Sequence, residues 1–275
     1  MENTPTALVT GGGSGIGKEI CKRFYKAGYN LVVVSLLTEE LEALEKELKG
    51  FGSTTSQQIV HTLALDLTRD DATKKIFELC DSNNITITTL INNAGFGLHG
   101  RHIDLDPDQL KSMLLLNIIA VSSLCHEMAN RMSSGQHKNG PSNAIINIGS
   151  TSAFQPLPKL AAYAASKAFI VSFTEALAEE LRNENIEVHC ICPGTTNTKF
   201  LDVAGLKDTT RFGSTAYIAH KIAMSPTDVA EVTFNAIDKK QVTSTPGIIN
   251  NLHHTLTNWL PKSIVKPVAN LIFNR

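Results

Sequence analysis

The chain has 275 residues, 42% of them apolar, enough for one large hydrophobic core, and no Pro, Gly or Ser-rich linker divides it. With 25 basic against 26 acidic residues no overall field points to nucleic acid, although 239–275 carries Lys and Arg and no Asp or Glu. Five scattered cysteines exclude a disulfide framework, nine dispersed histidines show no metal-ligand spacing, and the N-terminus has no leader-like pattern, which predicts a cytoplasmic, metal-free protein with no run long enough to span a bilayer.

Apolar runs of strand length alternate with stretches of helical period, the pattern of an α/β doubly wound parallel sheet. Residues 6–10 read as the first strand, and a helix beginning near Gly15 puts Ile16, Ile20 and Phe24 on one face. Strand 30–35 precedes a Glu and Lys-rich helix at 38–50; strand 59–65 ends at Asp66 before a helix at 69–81. A fourth strand starts at Thr89 and leaves through Asn92, Asn93, Ala94 and Gly95. A long helix at 107–132 has Pro107 in its first turn, followed by a polar loop at 133–143. Strand 144–149 runs into Ser150, a helix to about 183 carries Tyr163, and strand 186–192 ends at Pro193 and Gly194. Cys190 and Cys192 alternate along that last strand, so they should face one layer of core. The expected division is one domain over 1–250 and a C-terminal helical extension over 251–275.

Two stretches carry chemistry. Between the first strand and first helix stands Thr10-Gly11-Gly12-Gly13-Ser14-Gly15-Ile16-Gly17, a T-G-x-x-x-G-x-G turn whose glycines let backbone N–H groups and a helix N-terminus approach a pyrophosphate. Tyr163 and Lys167 lie four apart, on one helical face, so their phenol and ammonium can share a site. A fixed cation favours the phenolate and brings its proton exchange nearer working pH. Ser150 ends a buried strand upstream of both.

Thr10 to Gly17, Asn92 to Gly95, Asn117, Ser150, Tyr163 with Lys167, and Pro193 with Gly194 stand in the order and spacing of the short-chain dehydrogenase/reductase family. The chain resembles that family over about residues 6–250, which implies a Rossmann fold and an NAD(P)-dependent oxidoreductase. By this resemblance Tyr163 is the general acid/base, Lys167 holds the nicotinamide ribose and lowers the Tyr163 pKa, and Ser150 bonds the substrate oxygen. Asn117 supports a water-linked proton path, and its side chain can equally satisfy a helix irregularity. The implied cofactor-binding set is Thr10, Gly11, Gly13, Ser14, Gly15, Ile16, Gly17, Ser35, Asp66, Leu67, Asn93, Ala94, Gly95, Tyr163, Lys167, Pro193, Gly194, Thr196 and Thr198. Within it Asp66 belongs by the adenine, Asn93 by the adenosine ribose, and Thr196 and Thr198 near the carboxamide and phosphates.

The chain departs from the family at the cofactor selector. NAD users place an acid at the end of the second strand and NADP users an Arg or Lys just after it; Ser35-Leu36-Leu37-Thr38 offers neither. A missing acid spares a 2′-phosphate, which favours NADP(H) over NAD(H), with the Ser35 and Thr38 hydroxyls as partners and Lys18 turned to solvent. Between Gly194 and Ser225 the family has a mobile lid, here rich in apolar residues such as Phe200, Leu201, Phe212 and Tyr217. With Phe96, Leu98, Phe154 and Leu157 as further wall, these suggest a lipophilic ketone, aldehyde or secondary alcohol as substrate. No arginine pair asks for a carboxylate on the substrate, and the candidates Arg101 and Arg211 have no place assigned by the sequence. The tail around Trp259, Lys262 and Lys266 either covers the pocket or a neighbouring subunit, or lies on an anionic membrane as in a membrane-attached lipid ketoreductase. The helices at 107–132 and 161–183 form the family's dimer interface, so a homodimer or homotetramer is expected. The rival class is a catalytically silent nucleotide-sensing module, against which intact Ser150, Tyr163 and Lys167 speak.

Overall fold

The computed structural model describes residues 4–51, 58–134, 143–196, 224–239 and 241–247. Thr198, the apolar lid residues, Arg211, Trp259 and the whole extension at 251–275 lie outside them. Among the described residues seven parallel strands form one sheet in the order β3-β2-β1-β4-β5-β6-β7. They are β1 (Thr6–Thr10), β2 (Asn30–Ser35), β3 (Val60–Ala64), β4 (Thr89–Asn92), β5 (Asn143–Ile148), β6 (Ile186–Ile191) and β7 (Thr243–Ser244). The order reverses between β1 and β4, and in open sheets of this kind the crevice beyond the carboxyl ends of that pair is where ligands bind.

Period-2 alternation divides the strand residues between two cores. Leu8, Val32, Val34, Leu90, Ile145 and Val188 face one side, where they pack with α3 (Ala72–Ser82), α5 (Val121–Ser133) and α6 (Ala161–Glu180). Val9, Leu31, Val33, Ile91, Ile146 and Ile191 face the other, against α1 (Gly15–Lys26), α2 (Thr38–Gly50) and α7 (Pro226–Ala236). Because both faces are covered, the strands read as unbroken apolar runs. Cys190 and Cys192 do share a layer, their Sγ atoms 3.6 Å apart, and all five cysteines are buried and free.

The expected long helix is not uniform. It opens as α4 (Pro107–Leu114), capped by Asp106, whose Oδ1 accepts from the backbone N–H groups of Asp108 (2.8 Å) and Gln109 (3.2 Å), an arrangement worth about 1 kcal/mol. It then widens into a π turn (Leu115–Ala120) before continuing as α5. Contrary to the sequence expectation, Pro107–Ser133 is long and apolar enough to cross a bilayer by length and composition, but its inner side is core: Met113, Leu124, Cys125, Met128 and Met132 are all buried. Two 3-10 turns (His102–Asp104 and Thr151–Phe154) and the two-residue edge strand β7, paired with Cys190 and Ile191, were not legible in the sequence.

Candidate active site

The glycine turn is built against the exit of β4. Thr10 Oγ1 accepts from the N–H groups of Asn93 (3.0 Å) and Ala94 (3.1 Å), and Asn93 Nδ2 donates back to the carbonyls of Thr10 (3.0 Å) and Gly11 (3.1 Å). Gly11 and Gly15 adopt φ of +62° and +54°, a region that suits glycine. A side chain on Gly17 would place its Cβ 2.1 Å from the Gly11 carbonyl oxygen, so α1 can sit directly on the turn only without one. At the start of α1, Ser14 makes no side-chain capping bond and the first turn has no acid, leaving a helix N-terminus suited to an anion.

Around this turn the structure brings together most of the expected cofactor set. Ile16 is half-buried beside it. Ser35 is buried at the end of β2, with its carbonyl accepting from Leu65 N–H (2.9 Å). Asp66 leaves β3 exposed, with Oδ1 already accepting from the Thr68 N–H (2.9 Å) and hydroxyl (2.8 Å), while Leu67 turns into the core. The carbonyl of Pro193 accepts from Thr151 N–H (2.9 Å), and the Thr196 hydroxyl donates to the Gly194 carbonyl (3.2 Å). A pyrophosphate-containing dinucleotide fits this cradle, because its floor is backbone and its glycines leave no room for side chains.

The four expected catalytic residues converge from three elements. Ser150 leaves β5 and caps the short Thr151–Phe154 turn, its Oγ accepting from Ser152 N–H (3.1 Å). Tyr163 and Lys167 descend from the first turns of α6, and both are buried. Lys167 Nζ donates to the Ile148 carbonyl (2.8 Å). Asn117 occupies the π turn: its Oδ1 accepts from Phe96 N–H (3.2 Å) and its Nδ2 donates to the Phe96 carbonyl (3.0 Å) and to Ser166 Oγ (3.1 Å). A Cβ on Gly95 would stand 2.9 Å from Asn117 Oδ1 and 3.5 Å from Lys167 Nζ, so this glycine is what lets the amide and ammonium approach the cradle.

The electrostatics run against the sequence expectation for Tyr163. Burial pushes its phenol up to about 12, with the Ser150 hydroxyl pulling the other way, and burial brings Lys167 down to about 8. Desolvation outweighs the opposing hydrogen bonds of Ser150 and Ser152, so burial favours the protonated phenol. Sequence reading missed Ser166, fully buried, whose hydroxyl donates to the Tyr163 carbonyl (2.7 Å) while receiving Asn117. Its signal was available: a serine one residue before Lys167 lies three past Tyr163, within reach of that carbonyl.

Phe96, Leu98 and Leu157 cluster with Met113, Leu160 and Tyr163, forming an apolar wall beside the phenol. Phe154, expected in the same wall, is half-buried and packs against the sheet core, and Arg101 points to Asp104 (3.6 Å) on the surface.

The sequence model of short chain dehydrogenases matches residues 5–208. 17-beta-hydroxysteroid dehydrogenase type 3 of Homo sapiens is 33% identical over 201 residues, 71% of this chain and 61% of that protein, so the chain spans about three-fifths of this relative's length. A short-chain dehydrogenase from Sphingobium yanoikuyae in complex with NADPH superposes with a TM-score of 0.76 at 26% identity, covering 94% of this chain and 96% of that one. The 3-ketoacyl-(acyl-carrier-protein) reductase from Brucella melitensis complexed with NADH gives 0.73 at 25% identity, covering 89% and 96%. Together with the glycine cradle and the grouping of Ser150, Tyr163, Lys167 and Asn117 at its edge, these matches place the chain in the short-chain dehydrogenase family.

Proposed function

We propose that the chain is a nicotinamide-dependent oxidoreductase that interconverts a lipophilic ketone or aldehyde with its alcohol. The observation that carries this reading is the convergence of Ser150, Tyr163 and Lys167 on a dinucleotide cradle, against the wall of Phe96, Leu98 and Leu157. The steroid named for the human relative is a substrate of the same lipophilic class. When bound, the nicotinamide supplies or accepts the hydride. The chain's own residues do the rest: Tyr163 gives its phenolic proton to the nascent alkoxide, Ser150 Oγ donates to the same oxygen, and Lys167 holds the ribose. Asn117 fixes the Phe96 backbone and, through Ser166, the first turn of α6.

The test is a panel of ketones and aldehydes of graded size and polarity, with consumption of NADH and NADPH followed by absorbance. Turnover should rise with the apolar area of the substrate. A preference for small charged carbonyls would overturn the substrate class, and no turnover with any member would favour the silent nucleotide-sensing module.

We also propose that the chain works as a homodimer or homotetramer. Pro107, Leu110, Leu114, Leu115, Ile118 and Ile119 line an apolar groove of about 350 Å³, Ile119 is 55% exposed, and Phe169 and Phe173 stack at 5.6 Å on α6. An apolar face of this kind marks an interface. By light scattering, Ile119→Lys should shift the full chain towards monomer; a wild-type chain that is already monomeric would remove the proposal.

A further inference from the structure

Near the cradle the structure places an acid that lies beyond residues 35–38. Glu40 stands in the first turn of α2, half-buried, and its side chain folds back over the glycine turn. A Cβ placed on Gly13 would lie 2.8 Å from Glu40 Cβ, 3.0 Å from Glu40 Oε2 and 2.8 Å from Ser35 Oγ. The carboxylate, the last residue of β2 and the middle of the turn therefore meet at one point. That point lies at the carboxyl end of the strand next to the turn, on the side where a dinucleotide laid along the cradle must place its adenosine ribose.

Among the described residues no lysine or arginine pairs with Glu40. Ser35 is followed by Leu36 and Leu37, 65% and 50% exposed, where a basic residue would serve a phosphate. The lysines of α1 are engaged elsewhere: Lys18 pairs with Glu47 (2.6 Å), and Lys22 with Glu47 (2.7 Å) and Glu19 (2.9 Å). Lys18, expected in solvent, is thus spoken for by α2.

We infer that Glu40 is the cofactor selector of this chain: its carboxylate accepts a hydrogen bond from the adenosine-ribose 2′-hydroxyl of NAD(H) and repels the 2′-phosphate of NADP(H). The inference rests on the reading of the cradle as a dinucleotide site, and it replaces the expectation of NADP(H). A 2′-hydroxyl offers a donor to an acceptor-only group, whereas a phosphate monoester brings nearly two negative charges to the same place. Gly13 has its own part, since a Cβ there would stand 2.8 Å from Glu40 Cβ and 3.0 Å from its Oε2, and would force the Glu40 side chain to shift. The acid comes from the helix entry and not from the strand end.

The experiment is calorimetric titration of the full chain with NADH and NADPH, repeated with ADP-ribose and its 2′-phosphorylated form to isolate the adenosine end from the nicotinamide end. The wild type should bind NADH and ADP-ribose at least about tenfold more tightly than their 2′-phosphorylated counterparts. Glu40→Gln keeps the shape and removes the charge, and should close most of that gap by strengthening the phosphorylated ligands. Glu40→Lys should invert the preference. Equal or tighter binding of NADPH by the wild type, or a ratio unmoved in Glu40→Gln, overturns the inference while leaving the dinucleotide site intact. Failure of the wild type to bind any of the four ligands overturns the dinucleotide reading itself, and the selector with it.

Discussion

Tyr163→Phe is expected to keep the fold and the dinucleotide affinity while turnover falls about 10³-fold, within the range that a positioned proton donor contributes. The ring can stay where it is, because its neighbours Met113, Leu157, Leu160 and Ala164 pack on apolar surface that phenylalanine preserves. What disappears is one hydroxyl, beside Ser150 and raised by burial to about 12. At neutral pH that group is protonated, as carbonyl reduction requires, and alcohol oxidation should gain as pH rises towards its pKa because the phenolate is then the acceptor. Turnover with each direction's substrate, dinucleotide Kd and Tm separate the possibilities. A variant with wild-type turnover would remove Tyr163 from the reaction, one with lost dinucleotide binding would make its role cofactor holding, and one with a lowered Tm would make it structural.

How much of this was legible depended on whether a residue's partners lie near it in sequence. β1, β2 and α2 were bounded correctly at Thr6–Thr10, Asn30–Ser35 and Thr38–Gly50, since each is a strong apolar or helical period closed by a clear break. The π turn at Leu115–Ala120 was not, because the helical period runs through it; only a lone Asn among Leu and Ile residues marked the place. β7 is two residues long and exists because Cys190 and Ile191 offer it a partner, a fact with no local trace. Glu40 and Ser166 were missed for the same reason: the meaning of each lies in what it neighbours across the fold, Gly13 for one and Asn117 for the other. Phe154, close in sequence to the site, is half-buried and packs against the sheet core through the Thr151–Phe154 turn.

Lys167→Met should abolish most turnover and yet raise stability. The ammonium is buried with one hydrogen bond to the Ile148 carbonyl, and burial lowers its pKa from the ordinary lysine value of 10.5 to about 8. A depression of that size means that folding the charged form costs about 3 kcal/mol. Replacing the ammonium by a thioether of similar length removes the cost and leaves one buried carbonyl short of a donor, a loss of about 1 kcal/mol. The net gain of about 2 kcal/mol should lift Tm by about 4 °C or more in a chain of this size at neutral pH. The sign fixes the pH window. Below about pH 8 both folded and unfolded states carry the charge and wild type bears the whole penalty; between about 8 and 10.5 the unfolded chain binds more protons, so wild-type stability rises with pH and the advantage of the variant shrinks. Denaturation of both proteins at neutral pH and near pH 10.5 checks this, and a variant less stable than wild type at neutral pH would show that the site stabilises the ammonium. The arrangement is destabilising in isolation, and on the proposed function the buried cation is kept for the ribose hydroxyls of a bound cofactor and not for folding.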